Sequence, residues 1–147
     1  MIGRWFLMTV FLAGFTVLAN EEFVIYENGK AQAVFESPSP HSEESIRFFN
    51  ATLKKVCGTA LPMVAKEELQ PKSRVIKFEV IKSGDLRTDD NFSFEFPDQD
   101  TMLIKCTDIS MRWALNQILE KYVGVRWLFP EECGLSFLPV AKIAIPR

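Results

Sequence analysis

The segment "NFSFEFPDQDTMLIKC", residues 91–106, constrains the fold more than any other part of the chain. Phe92, Phe94 and Phe96 alternate with polar residues, so their side chains are predicted to share one face of an extended strand. A Pro-Asp dipeptide separates this run from a second apolar strand, residues 101–106, which is typical of a hairpin. A hairpin with one aromatic face is stable only when other elements cover that face. The chain is therefore predicted to be built around a sheet.

Several further strands are predicted from the same kind of pattern. Asn28-Gly29 separates two apolar runs and is the strongest short hairpin signal. Pro139 and Pro146 restrict the last apolar stretch to an edge strand or an extended exit, because proline has no amide hydrogen for a sheet. The other predicted strands lie near Phe23–Tyr26, Ala31–Phe35, Pro62–Ala65 and Arg74–Ile81.

Two segments have the three- and four-residue apolar spacing of helices. The first is predicted to begin with Ser42 as its N-cap and to end at Gly58. The second is predicted to run from about Asp108 to Val123. Its apolar stripe consists of Met111, Ala114, Leu115, Ile118, Leu119 and Tyr122. We therefore predict an α+β fold, a two-layer sandwich in which two helices pack on one face of a mostly antiparallel sheet of four to six strands.

The first 19 residues are predicted to be a signal peptide that is cleaved after Ala19. Arg4 forms a short basic region, and an apolar run follows from Trp5 to Val17. The alternative is a single membrane anchor, but the run is shorter than the roughly 20 residues that span a bilayer. We expect a secreted or periplasmic protein without a stable membrane anchor, with residues 20–147 forming one domain.

Charge and cysteine content limit the classes of partner. Residues 1–19 contain one of the 17 basic residues, Arg4, so 16 remain against 19 acidic residues. Nucleic acid is excluded as a partner because no cluster of lysines and arginines is present for phosphate binding. The odd number of cysteines, Cys57, Cys106 and Cys133, permits at most one internal disulfide. A bridge and buried free thiols are both compatible with the apolar surroundings of Cys57 and Cys106.

The sequence offers no catalytic constellation. Glycoside hydrolysis requires two carboxylates about 5–10 Å apart in a rigid cleft. The acidic pairs of this chain are sequence neighbours and are predicted to be solvated, namely Glu43-Glu44, Glu67-Glu68, Asp89-Asp90 and Glu131-Glu132. The single histidine, His41, lies in a predicted Ser/Pro loop, which disfavours a Ser-His-Asp triad and a zinc site. We predict no catalytic residue, no metal site and no cofactor.

Trp113 is the first candidate for a binding residue. At 100° per residue it lies opposite the apolar stripe of the second helix, beside Asn116, Gln117 and Glu120. The indole is therefore predicted to face outward and to contact something beyond this domain. The alternative is that it folds under a neighbouring loop, because tryptophan is usually mostly buried.

Two stretches together resemble a known family. "FFNATLKKVCGTALPMV" is similar to the helix and Leu-Pro strand that open the N-terminal domain of alpha-glucuronidases and related glycoside-hydrolase-like proteins. "MRWALNQILEKYVGVRWLFPEECG" resembles the closing segment of the same domain. The second motif is the more specific, because the order and spacing of five residues agree, namely Leu119, Gly124, Arg126, Trp127 and Pro130. The resemblance covers about residues 23–146.

The resemblance implies an accessory role. In that family, and in the similar accessory domain of hexosaminidases, this small unit precedes a (β/α)8 barrel that carries the catalytic carboxylates. We therefore expect a non-catalytic domain of a protein of polysaccharide metabolism, with Trp113, Arg126 and Trp127 docking against the barrel. Arg126 and Trp127 are predicted to form a stacked cation and aromatic pair at the domain exit. The alternative is a secreted carbohydrate- or protein-binding module with Trp113 and Trp127 as stacking platforms.

Overall fold

The computed structural model describes residues 21–36, 40–81, 91–128 and 134–147. These residues form a mixed α+β fold with two helices and three sheets. The helices are α1, Pro40–Cys57, and α2, Ser110–Ile118, which continues as a π-helical turn, Leu119–Val123. The strands are β1 Glu22–Glu27, β2 Lys30–Ala31, β3 Ala33–Glu36, β4 Met63–Val64, β5 Arg74–Val80, β6 Phe92–Glu95, β7 Thr101–Cys106, β8 Arg126–Trp127, β9 Leu135–Ser136 and β10 Lys142–Pro146.

Several sequence predictions fall outside the described residues. They concern the signal peptide at residues 1–19, the acidic pairs at 89–90 and 131–132, Pro130 of the second motif and Cys133. Within the described ranges, neither helix has the length and apolar character needed to cross a bilayer.

The first hairpin forms at Asn28-Gly29, as predicted. Asn28 has a φ of 49° and Gly29 a φ of 83°, so both residues adopt the left-handed conformation that a two-residue turn between β1 and β2 requires. On its other side, β1 pairs with β10 in antiparallel orientation. Strand β10 is an edge strand of this three-stranded sheet, which confirms the prediction made from Pro139 and Pro146.

The prediction of mostly antiparallel pairing is confirmed, but the described strands form three sheets instead of one. Across the described residues, four strand pairings are antiparallel and three are parallel. All three parallel pairings belong to the five-stranded sheet, whose order is β4-β3-β5-β7-β6. In that sheet only β6 and β7 are antiparallel. The cause is connectivity: β3 leads into β4 through α1, and a helical crossover returns the chain in the same direction.

One face of the five-stranded sheet carries the apolar core. Phe35 of β3 is fully buried and stands beside Ile76 of β5, which in turn stands beside Met102 of β7. Phe35 contacts Phe49 of α1 edge-on, with 5.6 Å between the ring centroids. The helix α2 contributes Met111 and other buried residues to the same cluster. Both predicted apolar stripes therefore face the core.

The opposite face of this sheet is charged, because alternate residues of each strand point away from the core. Lys77 on β5 lies 3.1 Å from Glu36 on β3. Lys105 on β7 lies 3.0 Å from Glu95 on β6 and 3.9 Å from Glu79 on β5. A hydrogen bond from Lys105 to Glu95 raises the pKa of this lysine, so the ammonium stays charged between its two carboxylates.

The helix α1 begins earlier than predicted. Pro40 is its first residue, which suits proline because an N-terminal amide of a helix has no intrahelical acceptor. His41 and Ser42 are accordingly helical residues rather than a loop and an N-cap. The C-terminal prediction is confirmed, because Gly58 follows the helix with a φ of 74°.

Asn50 links α1 to the chain that enters β4. Its Nδ2 donates to the carbonyl oxygen of Leu61 at 2.9 Å, and its Oδ1 accepts from the amide of Leu61 at 2.9 Å. Both ends of the Asn50 amide are therefore occupied by one backbone residue. This pairing holds the buried Leu61 side chain at the core.

The helix α2 begins at Ser110, two residues after the predicted start near Asp108. Reciprocal hydrogen bonds between Thr107 and Ser110 form a cap on the turn that precedes it. Ser110 Oγ accepts from the amide of Thr107 at 2.9 Å and donates to the carbonyl oxygen of Asn91 at 3.0 Å. Thr107 Oγ1 accepts from the Ser110 amide at 3.1 Å. The cap therefore ties the start of α2 to the start of the β6–β7 hairpin.

Cys57 and Cys106 are free thiols, so the two are not joined by a disulfide. Burial raises the pKa of Cys57. Burial, and to a smaller extent the charge of Asp108, raise the pKa of Cys106 to about 11. Both sulfurs are therefore protonated at neutral pH, and Cys106 belongs to the apolar core.

Phe35→Ala should be far more destabilising than Phe94→Ala. Phe35 is 0% exposed and packs between Phe49 and Phe78, so its removal should cost about 3–5 kcal/mol of unfolding free energy. Phe94 is only half-buried on the edge strand β6 and should cost about 1–2 kcal/mol. Urea denaturation of both variants measures the difference. Equal losses would mean that the aromatic face of β6 belongs to the central core.

Cys106 should resist alkylation in the folded protein. Raising its pKa from 9.0 to about 11 lowers the reactive thiolate fraction about a hundredfold at neutral pH. Peptide mass mapping after iodoacetamide treatment at pH 8 should show slow labelling of Cys106 in native protein and rapid labelling in urea. Native Cys57, which is partly accessible, serves as the internal comparison. Equally rapid labelling of Cys106 in both states would contradict its place in the core.

Candidate functional site

The second helix ends in the way that its sequence predicts. Gly124 has a φ of 81°, a left-handed conformation that releases the chain from the π-helical turn. The next amide, that of Val125, donates to the carbonyl oxygen of Leu119 at 3.0 Å. Val125 is fully buried, so it anchors the chain immediately before β8.

Arg126 stabilises this helix terminus. Its Nη1 donates to the carbonyl oxygen of Glu120 at 3.2 Å and to that of Val125 at 3.4 Å. The carbonyl groups of a final helical turn lack intrahelical donors, and they attract a cation. These contacts give the exposed Arg126 side chain a local structural role.

Trp127 occupies a different environment from Arg126. It is half-buried and packs against the core, and its backbone pairs with Leu135 of β9. Among the described residues, cation–π contacts join Arg112 to Phe48, Lys121 to Tyr122 and Arg147 to Phe96. The predicted stacking of Arg126 on Trp127 is therefore wrong. The physical reason is that successive strand residues point to opposite sides.

Trp127 forms one wall of a groove of about 320 Å³, which we call the helix groove. Its lining comes from α1, α2, β8 and β9, and consists of Phe48, Ala51, Thr52, Lys55, Arg112, Trp127 and Leu135. The guanidinium carbon of Arg112 lies 4.3 Å from the centre of the Phe48 ring. Both ionisable lining residues, Lys55 and Arg112, are cationic. The groove thus combines apolar walls with a positive rim.

Trp113 faces outward, as the helical geometry predicts. Its side chain is 61% exposed, whereas Ala114 and Leu115, the next residues, are buried. The alternative in which a loop covers Trp113 is not what the described residues show. Seven other large apolar side chains of the described residues are also exposed, among them Leu128 at 65% and Leu138 at 79%.

The segment at Arg126-Trp127 is not the exit of the domain. Strand β8 pairs with β9, and the chain then returns as β10 to pair with β1. The amide of Arg147 donates to the carbonyl oxygen of Glu21 at 3.1 Å, and its Nη1 lies 2.9 Å from the Glu21 carboxylate. The prediction that Arg126 and Trp127 lie at the domain exit is therefore wrong.

Most of the described carboxylates are on the surface, although Oε2 of Glu36 is buried beside Lys77. Glu43 pairs with Arg47 at 2.6 Å, and Glu67 and Glu68 lie exposed in a 3₁₀ turn. A hydrogen bond from the Asp100 amide lowers the pKa of Asp98, which is the reverse of what a general acid requires. Across the described ranges, no group of three His, Cys, Asp or Glu residues could hold a metal ion. The acidic pairs at 89–90 and 131–132 lie outside those ranges.

Sequence reasoning missed the helix groove. Phe48 and Arg112 are separated by more than sixty positions, and only the packing of α1 against α2 brings them together. The only sequence signal was indirect: both are residues that a helical pattern leaves off the core stripe. Trp113, in contrast, was found because its exposure depends on one helix alone.

No protein-family model matches this sequence, and no curated protein matches it. The resemblance to alpha-glucuronidase N-terminal domains accordingly rests on the quoted residues of the two motifs. Activity, partners and location inferred from that resemblance are proposals.

Proposed function

We propose that this chain is a non-catalytic accessory domain of a secreted glycoside-hydrolase-like protein, which docks against a (β/α)8 catalytic domain. The proposal includes a two-layer arrangement, with both helices on the Phe35 face of the five-stranded sheet. The single observation that carries it is Trp113, a tryptophan that is 61% exposed on a well-anchored helix.

A largely exposed tryptophan is costly for an isolated domain. Its indole leaves a large apolar area in water, and tryptophan is among the residues that contribute most when a protein interface buries them. The buried stripe of α2 and the cap at Ser110 hold this helix firmly on the core. Trp113 is therefore presented by a rigid element, which keeps the entropic cost of docking low.

The carboxylates support a role without catalysis. Four described glutamate carboxylates form ion pairs that keep them beside lysine or arginine side chains, namely those of Glu22, Glu36, Glu43 and Glu95. A general acid in glycoside hydrolysis needs the opposite setting, an apolar environment that raises its pKa. In the proposed protein, the barrel would supply the catalytic carboxylates.

A second candidate function is favoured by one observation, the helix groove. A carbohydrate- or protein-binding module would use its aromatic wall, Trp127, as a platform on which a ligand stacks. In that case Trp113 would be a second platform. The two functions differ in their partner, which is a folded domain in the first and a small ligand or peptide in the second.

Trp113→Ser should reduce self-association of the purified full chain. Without its partner domain, the exposed indole is expected to drive weak oligomer formation. Sedimentation velocity over a range of concentrations should show oligomers for the natural chain and monomer for the variant. Thermal unfolding should change little, because surface substitutions usually shift stability by about 0.5 kcal/mol or less.

Met63→Ser is the matched control for this experiment. Met63 is also an exposed large apolar side chain, at 40%, but it lies on β4 rather than on α2. The control should leave self-association unchanged. If Met63→Ser and Trp113→Ser have the same effect, the docking surface is not centred on Trp113.

The full chain should hydrolyse no aryl glycoside or aryl glucuronide. The expected reason is that the described residues place no acid and nucleophile together in a cleft. Release of 4-nitrophenol from nitrophenyl glycosides and from nitrophenyl glucuronide measures this directly. Turnover above background that disappears when one acidic residue is replaced would overturn the assignment as a non-catalytic domain.

A further inference from the structure

We propose that the helix groove binds a small carboxylate ligand with a flat apolar face. The carboxylate would lie against Arg112, and the flat face would lie against Trp127. This inference deepens the second candidate function, in which Trp127 is a platform for a ligand, and it does not depend on docking through Trp113. Arg112 and Trp113 also point about 100° apart around α2, so the two surfaces are distinct.

The size and walls of the groove suit a small ligand. A volume of about 320 Å³ is at the lower end of ordinary ligand pockets, which are mostly apolar and contain a few placed polar groups. Trp127 is held by β8, which pairs with β9 through Leu135, another lining residue. Both walls are therefore fixed before a ligand arrives, which reduces the ordering cost of binding.

The charge of the groove selects an acid. Lys55 and Arg112 are the two ionisable residues among the described lining, which contains no carboxylate. Among the described residues, the ion pairs of the arginines involve Arg47 and Arg147, and Arg112 takes part in none of them. An anion in the groove would thus contact Arg112, which has no carboxylate partner in the described part of the chain.

The environment of the Arg112 guanidinium group is suited to binding a carboxylate in particular. The Phe48 ring lies 4.3 Å from its guanidinium carbon and supports the cation. The guanidinium group carries five N–H donors in a fixed planar fork. Two of these donors match the two oxygens of a carboxylate and can form paired, charge-assisted hydrogen bonds.

Two classes of compound combine a carboxylate with a flat apolar face, and one experiment distinguishes them. A flat apolar face occurs on aromatic acids, and the C–H face of a sugar acid also stacks on tryptophan. The probes are 2-naphthoate with its neutral counterpart 2-naphthalenemethanol, and D-galacturonate with neutral D-galactose. Isothermal titration of the full chain measures each dissociation constant.

At least one acid should bind about tenfold more tightly than its neutral counterpart, since a charge-assisted hydrogen bond is lost in the neutral probe. Arg112→Gln should weaken that acid about tenfold and leave the neutral probe unchanged. Arg47→Gln is the matched control, because Arg47 is an exposed arginine on α1 that pairs with Glu43 outside the groove. Circular dichroism confirms that both variants are folded.

Three results would overturn the proposal. The first is that neither acid binds, and the second is that acid and neutral counterpart bind equally. The third is that Arg112→Gln and Arg47→Gln weaken binding to the same extent, which would indicate general attraction to a basic surface. Since Trp113→Ser tests self-association and this titration tests ligand affinity, failure of one experiment leaves the other interpretable.

Discussion

The contact on which the rest of the structure depends is the packing of Phe35 against α1. Phe35 stands on β3, and its ring meets Phe49 of α1 edge-on at 5.6 Å and Phe78 of β5 in a stacked arrangement at 6.0 Å. Those three rings join the helix to two neighbouring strands of the five-stranded sheet. Aromatic pairs stabilise a core beyond the area that they bury. Because α1 is fixed there, the side chains on its other faces, Phe48 and Lys55 among them, acquire defined positions.

Much of the local structure could be predicted, because its causes are local. The turn at Asn28-Gly29, the outward direction of Trp113 and the release of the chain at Gly124 each depend on a few adjacent residues. The parallel pairings of β3 and β5 could not be predicted in the same way. Their register depends on which strands meet after a helical crossover, and short apolar runs such as residues 33–36 fit either orientation. The charged face opposite the core became visible only once that register was known.

The residues of the second motif have different structural roles. Gly124 and Arg126 complete the end of a helix, the first by its left-handed backbone and the second by hydrogen bonds to two carbonyl oxygens. Trp127, one position later, points to the other side and lines a groove. Residues that terminate a helix recur wherever that terminus is needed. The match of these residues to a known domain is therefore evidence of a similar helix terminus, and is weaker evidence of a similar binding function.

The two surfaces of α2 differ in what they can recognise. Trp113 is an exposed and uncharged side chain, so a partner must bring its own complementary shape, as a folded domain does. The helix groove has walls on several sides and a cation supported by an aromatic ring, so it can hold a ligand too small to have a surface of its own. Arg112 and Trp113 are adjacent in sequence but lie on different surfaces, because successive side chains of a helix point about 100° apart. The two residues can therefore contact different kinds of partner. Occupation of one surface leaves the other exposed, which would permit a domain docked through Trp113 to bind a small acid at the same time.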